Sequence, residues 1–198
     1  MEGVSGIILA GGRSTRLGRD KALVTVGGRA LIARVADALG QATGEIVVVG
    51  GSREALAAVL PLGVRFVPDA EGDGGPLVGI MSGLAASSGA CSLVAGCDMP
   101  FLDPALLRAL AALLGNHDAV APVVGGTVQT THAVYRRTLA PAMRQALSSG
   151  VRSPVRFLRG VRTRYVPEDE LARLGLGLRS FTGVNTPEEL AAAERLAG

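Results

Sequence analysis

What most constrains this chain is its alternation of two kinds of segment. Short apolar runs rich in β-branched residues fall at 6–10, 45–50, 64–68, 92–96 and 119–124, and longer Ala- and Leu-rich stretches lie between them at 30–39, 53–60, 76–87 and 104–114. A strand covered on both faces has no polar side to alternate with, so near-continuous apolar strands separated by helices predict a parallel sheet between two helical layers. The expected fold class is α/β: a doubly wound, mostly parallel sheet with helices on both faces. Right-handed crossovers then bring the loops after the strands to one crevice, where ligands of such sheets bind.

Beyond residue 124 the pattern changes. A Gly125-Gly126 turn leads into an alternating run at 127–135, a helix at 139–147 and an arginine-rich stretch. No linker composition separates these residues from the rest, so they are expected to form a small antiparallel edge on the same sheet, within a single domain 1–198. Near the end stands Thr186-Pro187-Glu188-Glu189. It combines a Thr N-cap, a Pro at the first helical position and a Glu three residues after the cap, which predicts a capped terminal helix running to Leu196. With 48% apolar residues the chain can bury a core without staples, and Cys91 and Cys97 are expected to be buried, reduced thiols. The first residues lack a basic flank and no apolar run approaches the ~18 residues that span a bilayer. These features lead to the expectation of a soluble cytoplasmic protein with no membrane partner.

Net charge is only +3, but it is unevenly placed. Residues 119–167 contain no Asp or Glu and eight arginines: Arg136, Arg137, Arg144, Arg152, Arg156, Arg159, Arg162 and Arg164. Such a stretch attracts anions. Two Tyr and four Phe leave little for base stacking, so a small polyanion is expected rather than nucleic acid. The whole chain has nineteen arginines against one lysine, Lys21. Lysine is a compact point charge that reaches between phosphate oxygens in a tight loop, which singles out its position.

That lysine ends the loop Leu9-Ala10-Gly11-Gly12-Arg13-Ser14-Thr15-Arg16-Leu17-Gly18-Arg19-Asp20-Lys21, directly after the first strand. Glycines let backbone approach a ligand and form an anion nest, while Arg13, Arg16 and Lys21 can neutralise a triphosphate. The glycine spacing matches neither the dinucleotide fingerprint nor a Walker loop. Asp98 follows the strand at 92–96 and should project from its carboxyl end. Mg²⁺ prefers one or two carboxylates completed by phosphates and waters, so Asp98 is its candidate anchor, while Asp103 is the better helix cap before Pro104. A lone His132 in an alternating run is expected to be a packed core group with no catalytic role.

Taken together the loop, Val67-Pro68-Asp69, Gly75-Pro76-Leu77-Val78-Gly79, Gly96-Cys97-Asp98-Met99-Pro100, His132-Ala133-Val134-Tyr135 and Val184-Asn185-Thr186-Pro187-Glu188 resemble the molybdenum cofactor guanylyltransferases. They occur in that family's order along nearly the whole chain. The resemblance implies transfer of GMP from GTP to the terminal phosphate of molybdopterin, with Mg²⁺. It implies a nucleotide site of Leu9, Ala10, Gly11, Gly12, Lys21, Asp69, Gly75, Pro76 and Asp98, mainly within residues 1–118. Lys21, Asp98 and Arg13 are the expected catalytic residues, and Asp98 the metal ligand. The acceptor half, mainly 119–198, is expected to use Arg152 and Arg156, with Asn185 near the metal and phosphates. GTP and molybdopterin are the implied partners, together with other cofactor-synthesis proteins and molybdoenzyme clients. Ser52 and Gly183 depart from the family, which often has Asn at both. Alternatives are a cytidylyltransferase of the same cofactor, a small sugar-phosphate nucleotidyltransferase, or a non-catalytic module that carries the cofactor.

Overall fold

The computed structural model describes residues 3–11, 20–68 and 75–197. Strand β1 (Val4–Leu9) is followed by a 3-10 turn (Lys21–Leu23), a short hairpin of β2 (Thr25–Val26) and β3 (Arg29–Ala30), and helix α1 (Leu31–Gly40). Next come β4 (Glu45–Val49), α2 (Arg53–Ala57), β5 (Arg65–Val67), α3 (Gly75–Ala86), β6 (Cys91–Gly96) and α4 (Pro104–Ala112). The later part contains β7 (Ala119–Val124), β8 (Thr127–Val128), β9 (His132–Arg136), α5 (Leu139–Ser148) and α6 (Pro154–Leu158). It ends with β10 (Thr163–Pro167), α7 (Glu168–Arg173), a second 3-10 turn (Leu178–Phe181) and α8 (Pro187–Ala197).

The central sheet runs β10-β7-β9-β6-β1-β4-β5, with β8 folded back on β7. Strands β5, β4, β1 and β6 are mutually parallel, and β10 is parallel to β7. The chain moves outward from β1 to β4 and β5, then returns to the other side of β1 as β6. That reversal opens a crevice at the carboxyl ends of β1 and β6.

Alternate strand residues enter two separate cores. Ile8, Val48, Leu93 and Val134 pack with α1, α2 and α4 on one face. Ile7, Val47, Val94 and Tyr135 pack with α3, α5 and α6 on the other. Both sides of the sheet are thus dry, which is why the central strands read as unbroken apolar runs. Helix α3 lies unusually close to β1. A methyl group added at Gly83 would fall 2.6 Å from Ile7 Cγ2, and one at Gly79 would fall 3.1 Å from Leu9 Cδ2.

The antiparallel component is small, as expected, but its main strand is not at the rim. β9 lies between β6 and β7, antiparallel to both. Residues His132 to Tyr135 are consequently all buried. The small β2–β3 pair forms a separate sheet, against which α8 packs through Val24, Val26, Leu31, Val184 and Ala193. Among the described residues, no helix is long and apolar enough to cross a membrane.

Candidate active site

Backbone hydrogen bonding continues past the strand ends and so sets the rim of the crevice. Ala10 N donates to Val49 O at 2.9 Å, Gly50 N to Val67 O at 2.9 Å and Cys97 N to Leu9 O at 3.1 Å. The chain leaving β6 is therefore held beside β1 until Asp98. Asp20 Oδ1 accepts from Ala22 N and caps the 3-10 turn, which places Lys21 at its start. Val184 N donates to Asp98 O at 2.9 Å, drawing the segment before α8 onto the same point.

Three side chains meet there. Lys21 Nζ donates to Asp98 Oδ2 at 2.6 Å and to Asn185 Oδ1 at 2.6 Å. The Lys21 and Asp98 side chains are 20% and 22% exposed, so the pair is screened from bulk water yet reachable. Gly96 leaves room for the carboxylate: a Cβ there would lie 2.4 Å from Asp98 Oδ1 and oblige it to turn from its present position. Gly183 has a related role: a Cβ would come within 3.2 Å of Asn185 Nδ2, so the missing side chain leaves the amide room. Ser52 caps α2 by accepting from Ala55 N at 3.5 Å.

Two titratable groups near the cluster, Cys97 and His132, are held neutral. Burial, reinforced by the Asp98 charge, pushes the Cys97 thiol up to about 12, so it is not a nucleophile at ordinary pH. Burial also lowers His132 to about 3. Its ring packs on Phe181, with centroids 4.4 Å apart, and Nε2 lies 3.4 Å from Ser180 Oγ. Both cysteines are free and buried.

Asn185 groups with Lys21 and with Asp98, the expected metal ligand, while the two arginines expected to hold the acceptor lie on other elements. Arg152 Nη1 donates to Leu147 O at 2.7 Å at the end of α5, and Arg156 N donates to Ser153 Oγ at the start of α6. Among the described residues, no hydrogen bond or ion pair joins either arginine to the three-residue cluster. Leu9, Ala10 and Gly11 lie at the crevice end of β1, and Gly75 with Pro76 opens α3. The Leu9 carbonyl is already engaged by Cys97, and its side chain packs beside Gly79. Gly12, Arg13 and Asp69 lie outside the described residues. Two contributors had no clear signal in the sequence: Thr131, whose carbonyl accepts from Gly96 N, and Glu189 in its contact with Asn185.

The doubly wound sheet, with a lysine, a carboxylate and an amide converging at its switch point, is that of a nucleotidyltransferase. Residues 6–164 match the MobA-like NTP transferase domain, and the chain belongs to that family. It is 39% identical over 193 residues to a probable molybdenum cofactor guanylyltransferase of Pelotomaculum thermopropionicum, covering 98% of this chain and 93% of the relative. A probable molybdenum cofactor guanylyltransferase of Natronomonas pharaonis is 38% identical, with 97% of this chain and 98% of the relative covered. In three dimensions the chain is similar to the molybdopterin-guanine dinucleotide biosynthesis protein A of Archaeoglobus fulgidus. That comparison has a TM-score of 0.82, an identity of 26% and coverage of 97% of each chain.

Proposed function

We propose that the chain transfers GMP from GTP to the terminal phosphate of molybdopterin, giving the guanine dinucleotide form of the molybdenum cofactor and pyrophosphate. The observation that carries this reading is the meeting of Lys21 with Asp98 and Asn185 at 2.6 Å each, in a chain similar over nearly its full length to proteins named for that reaction. We read residues 1–198 as one domain, the first 118 mainly serving the nucleotide and the rest mainly the acceptor.

The reaction is an in-line displacement. An oxygen of the pterin phosphate forms a bond to the α-phosphorus of GTP as the bond from that phosphorus to the bridging oxygen breaks, and the electron pair leaves with pyrophosphate. The attacking phosphate is already ionised, so no general base is needed, in keeping with a neutral buried His132. What the protein must supply is alignment and charge. An ammonium has three donors, and Asp98 and Asn185 use two of them on Lys21. The third is left for a phosphate oxygen. Arg13 is assigned to the same triphosphate, and Arg152 and Arg156 to the pterin phosphate, where the guanidinium fork suits the oxygens.

The donor set fits Mg²⁺. Among the described residues, no group of three or more His, Cys, Asp or Glu could form a metal cage. Asp98 Oδ2 and Asn185 Oδ1 face Lys21 Nζ, which leaves Asp98 Oδ1 as the hard oxygen for an ion completed by phosphates and water. When bound, Mg²⁺ offsets repulsion between the two anionic substrates.

Turnover with molybdopterin, Mg²⁺ and each of the four nucleoside triphosphates tests the reading. Preference for GTP is expected, from the backbone around residues 9–11 and the motif opening α3. Equal or better use of CTP overturns the guanine assignment, and binding without turnover identifies a cofactor carrier instead.

A further inference from the structure

We infer that Glu189 is a positioning residue for the reaction, acting through Asn185; this rests on the function proposed above. In a capping box the Glu carboxylate accepts from the backbone N–H of the N-cap residue, and the cap hydroxyl accepts from the Glu N–H in return. Here Thr186 Oγ1 accepts from Glu189 N at 3.2 Å, and Glu189 Oε2 accepts from Thr186 N at 3.1 Å. The same oxygen accepts a shorter bond, at 2.5 Å, from Asn185 N, one residue outside the helix. The cap thus reaches the very residue whose amide oxygen holds Lys21 Nζ at 2.6 Å.

Asn185 is fixed from both sides. Val184 N is tied to Asp98 O, and the side chain of Val184 is buried between the β2–β3 hairpin and α8. Without the carboxylate, the peptide between these anchors is free to rotate and carry Oδ1 away from Lys21. A carboxylate at this position is also favoured by the positive end of α8, so the clamp is compatible with helix stability. An amide oxygen carried about 1 Å from its place passes beyond hydrogen-bond reach of the lysine, and the ammonium then lacks one of its two anchors.

The test is a double-mutant cycle in the intact protein, with stability measured alongside. Glu189→Ala is expected to lower kcat by between about tenfold and a hundredfold. Asn185→Ala should give a similar loss, and the double variant should be no worse than Asn185→Ala alone. Glu189→Gln, which keeps an acceptor oxygen, should recover part of the rate. Thr186→Ala removes the reciprocal cap bond and the contact of the Thr186 hydroxyl with Glu188 but leaves the Asn185 N–Glu189 bond, so it should lower Tm with kcat within about twofold of the parent. The backbone amide proton of Asn185 provides a readout independent of turnover: its downfield NMR position should be lost in Glu189→Ala and kept in Thr186→Ala. Losses that add in the double variant, or kcat falling in step with Tm in both cap variants, overturn the inference. Unchanged turnover in Asn185→Ala with an inactive Asp98→Asn overturns it alone, whereas an active Asp98→Asn overturns the reading of the site beneath it as well.

Discussion

Lys21 and Asp98 are 77 positions apart in the chain and 2.6 Å apart in space. For a pair largely withdrawn from water the cost of desolvation offsets much of the attraction, so folding alone gives little reason for the contact. Its significance is positional: it fixes an ammonium at the start of a 3-10 turn against a carboxylate just past the end of β6, at the crevice. Four predictions follow from that arrangement and from the scaffold around it.

Asp98→Asn keeps the shape of the side chain and removes its charge. Turnover should fall on the order of a hundredfold or more, equivalent to roughly 3 kcal/mol of transition-state stabilisation. Tm should change little. Steady-state rates at limiting Mg²⁺ decide the matter, and near-normal turnover would show that the metal is held elsewhere.

Replacing Arg152 and Arg156 together with Gln tests the assignment of the acceptor phosphate. Each lost charged hydrogen bond is worth about 1.5 to 3 kcal/mol, so the apparent KM for the pterin should rise well over tenfold while GTP affinity stays nearly constant. Added salt should weaken pterin binding more in the parent than in the double variant. Loss of GTP affinity with pterin binding intact would reassign the basic segment to the triphosphate.

Glu45 gives the fold a defined acid sensitivity. Partial burial raises its carboxyl, but hydrogen bonds from Ser5 Oγ at 2.6 Å and from the Ser88 backbone and hydroxyl, with Arg65 nearby, outweigh this and bring it down to about 2. A carboxyl depressed on folding adds stability that is full above its unfolded value, near ~4.3, and is lost as pH falls toward the folded value. Urea midpoints measured from pH 6 to 2 should therefore fall more steeply for the parent than for Glu45→Gln. Parallel slopes would count against the network.

Gly83→Ala tests the close approach of α3 to β1. In an open helix this substitution stabilises by about 1 kcal/mol. Here the new methyl group would lie 2.6 Å from Ile7 Cγ2, and Ile7 is fully buried with nowhere to swing. Overpacking of this kind is destabilising by about 1–3 kcal/mol, which reverses the sign. A higher urea midpoint in Gly83→Ala would show that α3 can move away.

The central strands were legible because burial on both faces leaves an unmistakable apolar run, as in β1, β4 and β6. β10 was not: its sequence, Thr-Arg-Tyr-Val-Pro, lies at the sheet edge and buries only Val166 completely. The interior place of β9 was also hidden, since alternation within a segment carries no information about which distant strands it pairs with. At the site, Lys21 and Asp98 stood out by rarity and by their position after strands. Asn185 and the capping box after it stood out as well, but the contacts of Asn185 with Lys21 and with the Glu189 carboxylate did not. Its meeting with Lys21 spans 164 positions and depends on Val184 packing against a two-strand hairpin, a long-range event that no local pattern encodes.

The interior position of β9 also bears on dissection of the protein. Its backbone is hydrogen-bonded to β6 on one side and to β7 on the other. A fragment ending at residue 118 would leave β6, the strand that leads to Asp98, with an open edge of unpaired amides and carbonyls. Such an edge recruits other chains. Expressed alone, residues 1–118 would tend toward self-association rather than toward a smaller working enzyme, and supplying residues 119–197 as a separate peptide would be the means of keeping them in solution.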